Sequence, residues 1–230
     1  MLKIFIGYDP RESLAYHTLC NSILRQASTP VSITPLYLPN LSGIFNRPTD
    51  DRQSNSFSYS RFLIPHLCNY EGYALYLDCD MLMRGDVTKV FDKYCNDNMA
   101  VSVVKHDYTS SVSIKYLGNK QFNYPRKNWS SFVLWNCSHA SNKQVNPHFV
   151  ETAEPATLHR FLWLADSEIG EINKKWNWLV GEYENPPKDI LNVHWTLGGP
   201  YFSEYQDTDF AAEWFEEQSL MINCDQLKER

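Results

Sequence analysis

The chain has 230 residues, of which 43% are hydrophobic and 21% charged, proportions that are ordinary for a globular protein with a buried core. A formal net charge of −6 excludes the general positive field with which proteins bind nucleic acid or anionic membranes. The apolar runs fall well short of the roughly 20 residues that a transmembrane helix needs, and the first run ends at Gly7, too early for a secretory signal.

Strands and helices are predicted to alternate along the chain. In order, the patterns favour a strand over 3–7, a helix over 13–25 with Ser13 as its N-cap, a strand over 31–38, a polar loop over 39–56, a helix over 57–67, a strand over 74–77, a short helix over 86–92, and strands over 99–104 and 132–136. This order implies an α/β fold with a mainly parallel sheet flanked by helices. Because no linker or internal repeat divides the chain, residues 1–230 are expected to form a single domain.

The six cysteines are scattered over the chain, at positions 20, 68, 79, 95, 137 and 224. Since none of them forms a CxxC pair, neither a zinc site nor a small disulfide framework is indicated. We therefore expect reduced thiols and a cytoplasmic location.

Two acidic segments each follow a predicted strand, where α/β sheets bind their ligands. Gly7-Tyr8-Asp9 comes after the first strand, and Asp78-Cys79-Asp80 comes after the third. Carboxylates at positions i and i+2 of an extended chain point to the same side, about 6.5–7 Å apart at Cα, and repel each other unless a cation lies between them. Oxygen ligands favour Mg²⁺ or Mn²⁺. On these residues alone, a strand-end turn whose aspartates bind backbone amides stays equally open.

The residues that carry a family resemblance lie in five segments. These are FIGYD (5–9) with the helix after it, YSR (59–61) leading to LDCD (77–80), SSFVLWN (130–136), KWN (175–177) and HWTLGGPY (194–201). In this order they resemble the motifs of the retaining GT-A glycosyltransferases of family 8, which include glycogenin and the bacterial lipopolysaccharide galactosyltransferases. The resemblance spans nearly the whole chain, from Lys3 to Tyr201.

The resemblance implies a Rossmann-like GT-A fold and a hexosyltransferase. Such an enzyme would move a sugar from a nucleotide-sugar donor, most simply UDP-linked, to a hydroxyl acceptor such as a glycan, with retention of configuration. Asp78, Asp80 and His194 would hold the metal ion, and an imidazole ligand favours Mn²⁺ over Mg²⁺. The residues implied around the nucleotide and its sugar are Gly7, Tyr8, Asp9, Arg11, Tyr59, Arg61 and Cys79.

Two departures from the family pattern concern charge and the sugar pocket. The family has a lysine before the proline of its closing motif, where this chain has Gly199. Lys105 or Lys127, with Arg126 as a third choice, would then meet the diphosphate, or the amides of Gly198 and Gly199 would bind it directly. The family's D-Q-D segment, which lies beneath the reacting sugar, is not visible here, and only the general position of residues 157–161 corresponds to it. The expected catalytic set is Asp78, Asp80, Lys127, Asn128 and His159.

Three other functions would place aspartates after a strand. A phosphohydrolase of the haloacid-dehalogenase type usually has its DxD near the start of the chain, whereas Asp78 lies deep within it. A glycoside hydrolase needs two carboxylates on either side of a sugar, and this would not explain His194. A non-catalytic protein that binds sugars or nucleotides needs no metal ligands. The oligomeric state is left open by the sequence.

Overall fold

The computed structural model describes residues 1–48, 53, 55–110, 112, 114–119 and 123–222. The strands are β1 (Leu2–Tyr8), β2 (Val31–Tyr37), β3 (Tyr73–Leu77), β4 (Met81–Met83), β5 (Val101–Val103), β6 (Phe132–Asn136), β7 (Ile169–Glu171), β8 (Trp178–Leu179) and β9 (Asn192–His194). The α-helices are α1 (Ser13–Gln26), α2 (Ile64–Leu67), α3 (Thr88–Tyr94), α4 (Pro147–Thr152), α5 (Pro155–His159) and α6 (Ala211–Ile222). Short 3₁₀ turns include Pro10–Glu12, Leu38–Leu41, Ser60–Leu63, Tyr116–Gly118, Trp129–Ser131 and Lys174–Trp176.

The central sheet has six strands within the described residues, in the order β2-β1-β3-β6-β5-β7. Strand β1 is parallel to β2 and β3, and β5 is parallel to β7, which confirms the mainly parallel α/β fold predicted from the sequence. Strand β6 is antiparallel to both of its neighbours, and Phe132 pairs with Leu77. Since β6 begins where β3 ends, the residues just before Phe132 lie at the carboxyl edge of the parallel strands.

Buried apolar strands and one amphipathic helix form the main core. Residues of β1 and β3 such as Ile4 and Leu75 have no exposed surface, as expected of strands that are covered on both faces. Helix α1 buries Ala15, Leu19 and Ile23, which recur every four residues on one side of the helix.

Several predicted boundaries differ from those observed. The helical run before α1 begins at Pro10, and the side chain of Asp9, not that of Ser13, caps it by accepting a hydrogen bond from the Arg11 amide at 3.0 Å. The predicted helix over 57–67 is shorter, because 57–59 form turns ahead of a 3₁₀ turn and α2. The predicted loop over 39–56 and the cysteine at 224 lie partly or wholly outside the described residues.

A second, three-stranded sheet in the order β4-β9-β8 was not predicted. It pairs Met81 with His194, and so joins the segment after Asp80 to the C-terminal part of the chain. Beneath it lies a separate apolar cluster that includes Val193, Trp195 and Trp214. In the described part of the chain, no helix is both long and apolar enough to cross a bilayer.

Candidate active site

Three side chains that the sequence analysis assigned to a metal ion come together at the carboxyl edge of β3. The ligand atoms of Asp78, Asp80 and His194 all lie within 4.8 Å of one another, and all three residues are buried. His194 Nε2 lies 3.1 Å from Asp80 Oδ1. More than a hundred residues separate His194 from the aspartates in the sequence, so this convergence is a product of the fold.

Backbone pairing on both sides fixes this cluster. The Asp78 amide donates to the Ser131 carbonyl at 2.9 Å, which extends the pairing of β3 with β6. The Trp195 amide donates to the Asp80 carbonyl, also at 2.9 Å, next to the pairing of Met81 with His194. The two sheets therefore hold the aspartates and the histidine in one register.

Asn177 determines which nitrogen of His194 carries the proton. Ser131 Oγ donates to the Asn128 carbonyl at 2.8 Å and so accepts from Asn177 Nδ2 at 2.9 Å. This orients the amide so that Asn177 Oδ1 faces His194 Nδ1 at 2.8 Å and accepts its proton. His194 Nε2, the ring nitrogen that Asn177 does not contact, faces Asp80 Oδ1.

His106 supports the same amide from the other side. Its Nε2 accepts from Asn177 Nδ2 at 3.0 Å, and its Nδ1 donates to the Tyr183 hydroxyl at 2.7 Å. Burial, together with His194, lowers the pKa of His106 to about 3, so this ring is neutral at neutral pH. The chain Tyr183–His106–Asn177–His194 is the kind of outer hydrogen-bonded support that orients a metal-binding histidine.

The donor set fits a divalent cation. Asp80 Oδ1 is buried and lies 3.1 Å from His194 Nε2, and the described residues give it no other side-chain partner. Two acceptors at this distance repel each other unless a cation or a proton lies between them. Two carboxylates and one imidazole are a suitable set for Mn²⁺ or Mg²⁺, and nitrogen favours the former.

Arg61 and Tyr76 hold the other aspartate. Arg61 Nη1 lies 2.9 Å from Asp78 Oδ1 and also donates to the Ser130 carbonyl at 3.0 Å. The Tyr76 hydroxyl donates to Asp78 Oδ1 at 2.6 Å. Burial raises the pKa of the Asp78 carboxyl, an effect that the Arg61 guanidinium opposes.

A polar cleft of about 300 Å³ opens beside Asp78. The predicted site residues that line it are Tyr59, Arg61, Asp78, Asn128 and His159. It also contains Lys115, which the sequence analysis did not select.

His159 enters the cleft as a neutral side chain. Its Nδ1 lies 2.9 Å from Ser130 Oγ, and its ring packs edge-on against Phe62. Burial, with smaller contributions from Arg61 and Arg47, lowers the pKa of His159 to about 3. At neutral pH the ring therefore offers hydrogen bonding and no charge.

The residues that follow β1 lie at the same edge as Asp78, because β1 and β3 are parallel and in register. Asp9 is buried and paired with Arg11 at 2.7 Å. Burial alone would raise the pKa of Asp9, but hydrogen bonds from Arg11 and Ser56 lower it to about 2. A side chain at Gly7 would meet the Phe57 ring at 2.4 Å, so glycine is required there by packing.

Two other residues assigned to the nucleotide are packed within the protein. The ring of Tyr8 is edge-on to those of Tyr16 and Tyr37, with centroids 5.1 and 5.2 Å away. Cys79 has no exposed surface, and burial raises the pKa of its thiol well above the usual range. Cys79 stays a prediction as a nucleotide-binding residue, and the contact would come from its backbone because its side chain is buried.

Lys105, Arg126 and Lys127, the three predicted phosphate cations, are not among the described residues that line the cleft. Lys105 and Arg126 both lie over the Trp129 ring, at 5.8 and 5.2 Å from its centroid, and Arg126 also pairs with Asp166. Lys127 Nζ is buried 5.4 Å from the centroid of another aromatic ring, that of Tyr108.

The amides of Gly198 and Gly199 were predicted to bind the diphosphate directly. The Gly198 amide donates to the Trp195 carbonyl at 3.0 Å within a turn, and a phosphate contact from this amide stays a prediction. A Cβ at Gly199 would meet the Tyr201 ring at 2.3 Å, which accounts for glycine by close packing. A phosphate contact from the Gly199 amide stays a prediction.

Comparison with known proteins gives a family and a fold. No established family profile matches the chain. It is 45% identical over 221 residues to Protein CDI of Arabidopsis thaliana, a match that covers 94% of this chain and 85% of the plant protein. The chain belongs to the Protein CDI family.

Solved glycosyltransferases share the fold at low sequence identity. GlyE of Streptococcus pneumoniae TIGR4 gives a TM-score of 0.64 at 14% identity, over 96% of this chain and 62% of GlyE. The galactosyltransferase LgtC gives 0.58 at 12% identity over 95% of both chains. The bifunctional glycosyltransferase WbbM gives 0.59 at 18% identity, over 95% of this chain and 49% of WbbM. This member of the Protein CDI family thus has a GT-A-like fold and spans less than two thirds of GlyE and WbbM.

Proposed function

We propose that the protein is a metal-dependent glycosyltransferase, which moves a sugar from a nucleotide-sugar donor to a hydroxyl acceptor. The observation that carries this proposal is the convergence of Asp78, Asp80 and His194 beside a polar cleft at the carboxyl edge of β3. This edge is where α/β folds bind ligands, and the GT-A-like fold also supports a glycosyltransferase function.

Asp78, Asp80 and His194 would hold the metal ion, for which we propose Mn²⁺ because one ligand is an imidazole. When bound, the cation would neutralise the charge of a diphosphate leaving group. Arg61 and Tyr76 orient Asp78, while Asn177 binds His194 Nδ1 and so turns Nε2 to the site. These residues hold the ligands in place before the donor arrives.

The cleft suits a sugar because it combines neutral polar groups with few carboxylates. Asn128 and His159 offer hydrogen-bonding partners for hydroxyl groups. Asp78 is the one carboxylate in the described lining of the cleft, and it is already bonded to Arg61 and Tyr76. This arrangement does not favour a glycoside hydrolase, which needs two carboxylates.

The finer points of the proposal rest on the five motif resemblances. These favour a UDP-linked donor, a member of family 8 and transfer with retention. Because Asp78 is held by two partners, we propose no nucleophile on the enzyme. The acceptor hydroxyl would attack on the face that the diphosphate leaves, and a departing phosphate oxygen would take its proton.

A hydrolysis and transfer assay tests this function. UDP-sugars would be incubated with the protein in Mn²⁺ and in excess chelator, and release of UDP would be measured. We expect release only with metal. Hydrolysis of phosphate monoesters with UDP-sugars left intact would point to a phosphohydrolase, and sugar binding without turnover would point to a non-catalytic protein.

A first prediction is that UDP stabilises the protein only when a divalent cation is present. At a ligand concentration of one hundred times the dissociation constant, the free energy of unfolding should rise by about 2.7 kcal/mol. Differential scanning fluorimetry with UDP in Mn²⁺, in Mg²⁺ and in chelator would measure it. Equal stabilisation in chelator would contradict binding through a metal.

A second prediction concerns Asn177, which acts on the metal only through His194. Asn177→Leu removes the acceptor for His194 Nδ1, so Mn²⁺ affinity should fall about 10–100-fold. Asn177→Asp keeps an acceptor oxygen there and should retain more affinity. Titration followed by the electron paramagnetic resonance of free Mn²⁺ would measure both.

Asn142→Leu is the matched control for this experiment. Asn142 is another fully buried asparagine, and it donates to the Ala100 and Asn136 carbonyls. Its replacement should lower stability but leave Mn²⁺ affinity unchanged. If both leucine variants lose metal affinity equally, Asn177 has only a general structural role.

A further inference from the structure

We propose that Lys115 is the side chain with which this protein binds the phosphates of its donor. The inference rests on the proposed function and adds a residue to it. Lys115 lines the same cleft as Asp78, and it comes from the segment between β5 and β6.

The ammonium of Lys115 lies near acidic groups without being paired to one. Within the described part of the chain, Lys115 forms no ion pair, and its ammonium interacts with the Tyr116 ring, 5.6 Å from the centroid. Burial lowers the pKa of Lys115, while Asp80, Asp78 and Glu12 raise it from a distance. A half-buried cation without a counter-ion is costly, and an anion bound in the cleft would offset that cost.

The neighbouring residue fixes the position of Lys115. The Tyr116 hydroxyl donates to one oxygen of the buried Glu12 at 3.2 Å, and the Tyr201 hydroxyl donates to the other at 2.8 Å. The Tyr116 amide donates to the Leu197 carbonyl at 2.9 Å. Two parts of the chain therefore hold the backbone beside Lys115. One is the segment that follows His194, and the other is the start of the helical run after β1.

Charge balance shows what such a cation would do. The carboxylates of Asp78 and Asp80, the Arg61 guanidinium that pairs with Asp78, and a divalent cation would together carry a net charge of only about one positive unit. A nucleoside diphosphate carries about three negative charges at neutral pH, so the leaving group needs a further cation. Lys115 supplies it from the wall of the cleft.

Other cations are less well placed for this task. Lys105 and Lys127 are not among the described residues that line the cleft, and Arg126, which is also absent from its lining, pairs with Asp166. Arg160 also lines the cleft, but on the side of α5, whereas Lys115 lies close enough to Asp78 and Asp80 for both carboxylates to oppose the lowering of its pKa by burial.

Calorimetric titration with UDP and with inorganic pyrophosphate, each in the presence of Mg²⁺, tests the inference. Lys115→Met keeps the length of the side chain and removes its charge, and we expect it to weaken binding of both probes at least tenfold. Lys115→Arg should stay within about threefold of wild type. Lys143→Met, at an exposed lysine outside the cleft, is the matched control and should bind normally.

Binding of Mn²⁺ alone separates a phosphate contact from structural damage. Removing a positive charge near Asp78 and Asp80 should leave Mn²⁺ affinity unchanged or increase it, whereas local unfolding would decrease it. Loss of Mn²⁺ binding by Lys115→Met would overturn the inference.

Two further outcomes distinguish this inference from the function on which it rests. If wild type binds the probes and Lys115→Met binds them equally well, or if only Lys127→Met or Arg160→Met loses binding, the role of Lys115 is wrong and the proposed function stands. If wild type binds neither probe with any divalent cation, both are overturned.

Discussion

Asp80→Asn is expected to reduce metal-dependent sugar transfer by at least a thousandfold while leaving the free protein as stable as wild type. The loss corresponds to about 4 kcal/mol of transition-state stabilisation. In the described structure Asp80 Oδ1 lies 3.1 Å from His194 Nε2; burial alone would raise the pKa of the Asp80 carboxyl, but His194 lowers it. An asparagine amide there could instead donate to Nε2.

The measurement pairs activity with thermal unfolding, with and without Mn²⁺. Wild type should gain stability from the metal, and Asp80→Asn should gain none, because one ligand is gone. Asp92→Asn removes an exposed carboxylate that pairs only with Lys89 in the described structure, and it should behave as wild type in both assays. If Asp80→Asn unfolds without metal, the carboxylate is a structural group and the metal site is in doubt.

The sequence predicts the central sheet well because its signals are local. The apolar runs of β1 and β3 are buried on both faces, and α1 has a regular apolar side. Each pattern is visible within a few residues. By the same reasoning the acidic segments after β1 and β3 were correctly placed at one edge, since parallel strands end together.

His194 could be assigned only through the family resemblance. Strands β4 and β9 have three residues each, too few for a periodic signal, so nothing local pairs Met81 with His194. The partners of His194 are even less visible, because His106 and Asn177 lie 71 positions apart and meet only in the folded chain.

The orientation of long side chains is also invisible in the sequence, for a related reason. The end of a strand indicates where the backbone lies but not where a long side chain goes. Lys105 and Lys127 flank strands near the expected edge, yet they turn onto the Trp129 and Tyr108 rings. Lys115 reaches the cleft because the segment between β5 and β6 folds back onto Glu12 and Tyr201, a contact that no short pattern predicts.

Arg61→Met should lower the free energy of unfolding by about 3–5 kcal/mol. Arg61 is buried, and its guanidinium pairs with Asp78 and donates to the Ser130 carbonyl. Methionine fills similar space but leaves the Asp78 carboxylate in the interior with the Tyr76 hydroxyl as its remaining side-chain donor in the described structure. Removing one partner of a buried pair is costly chiefly because the other charge stays unpaired.

Chemical denaturation of single and double variants can assign this loss to the stranded charge. Arg61→Met combined with Asp78→Asn removes both charges, so it should be more stable than Arg61→Met alone. Arg126→Met breaks the more exposed pair with Asp166 and should cost less than about 1 kcal/mol. If the double variant is no more stable than Arg61→Met, the guanidinium acts mainly through packing against Phe57 and Tyr76, whose ring centroids lie 5.4 and 5.1 Å from its central carbon. Recovery in the double variant would instead identify Arg61 as the permanent counter-charge of Asp78, present before any metal ion or diphosphate binds.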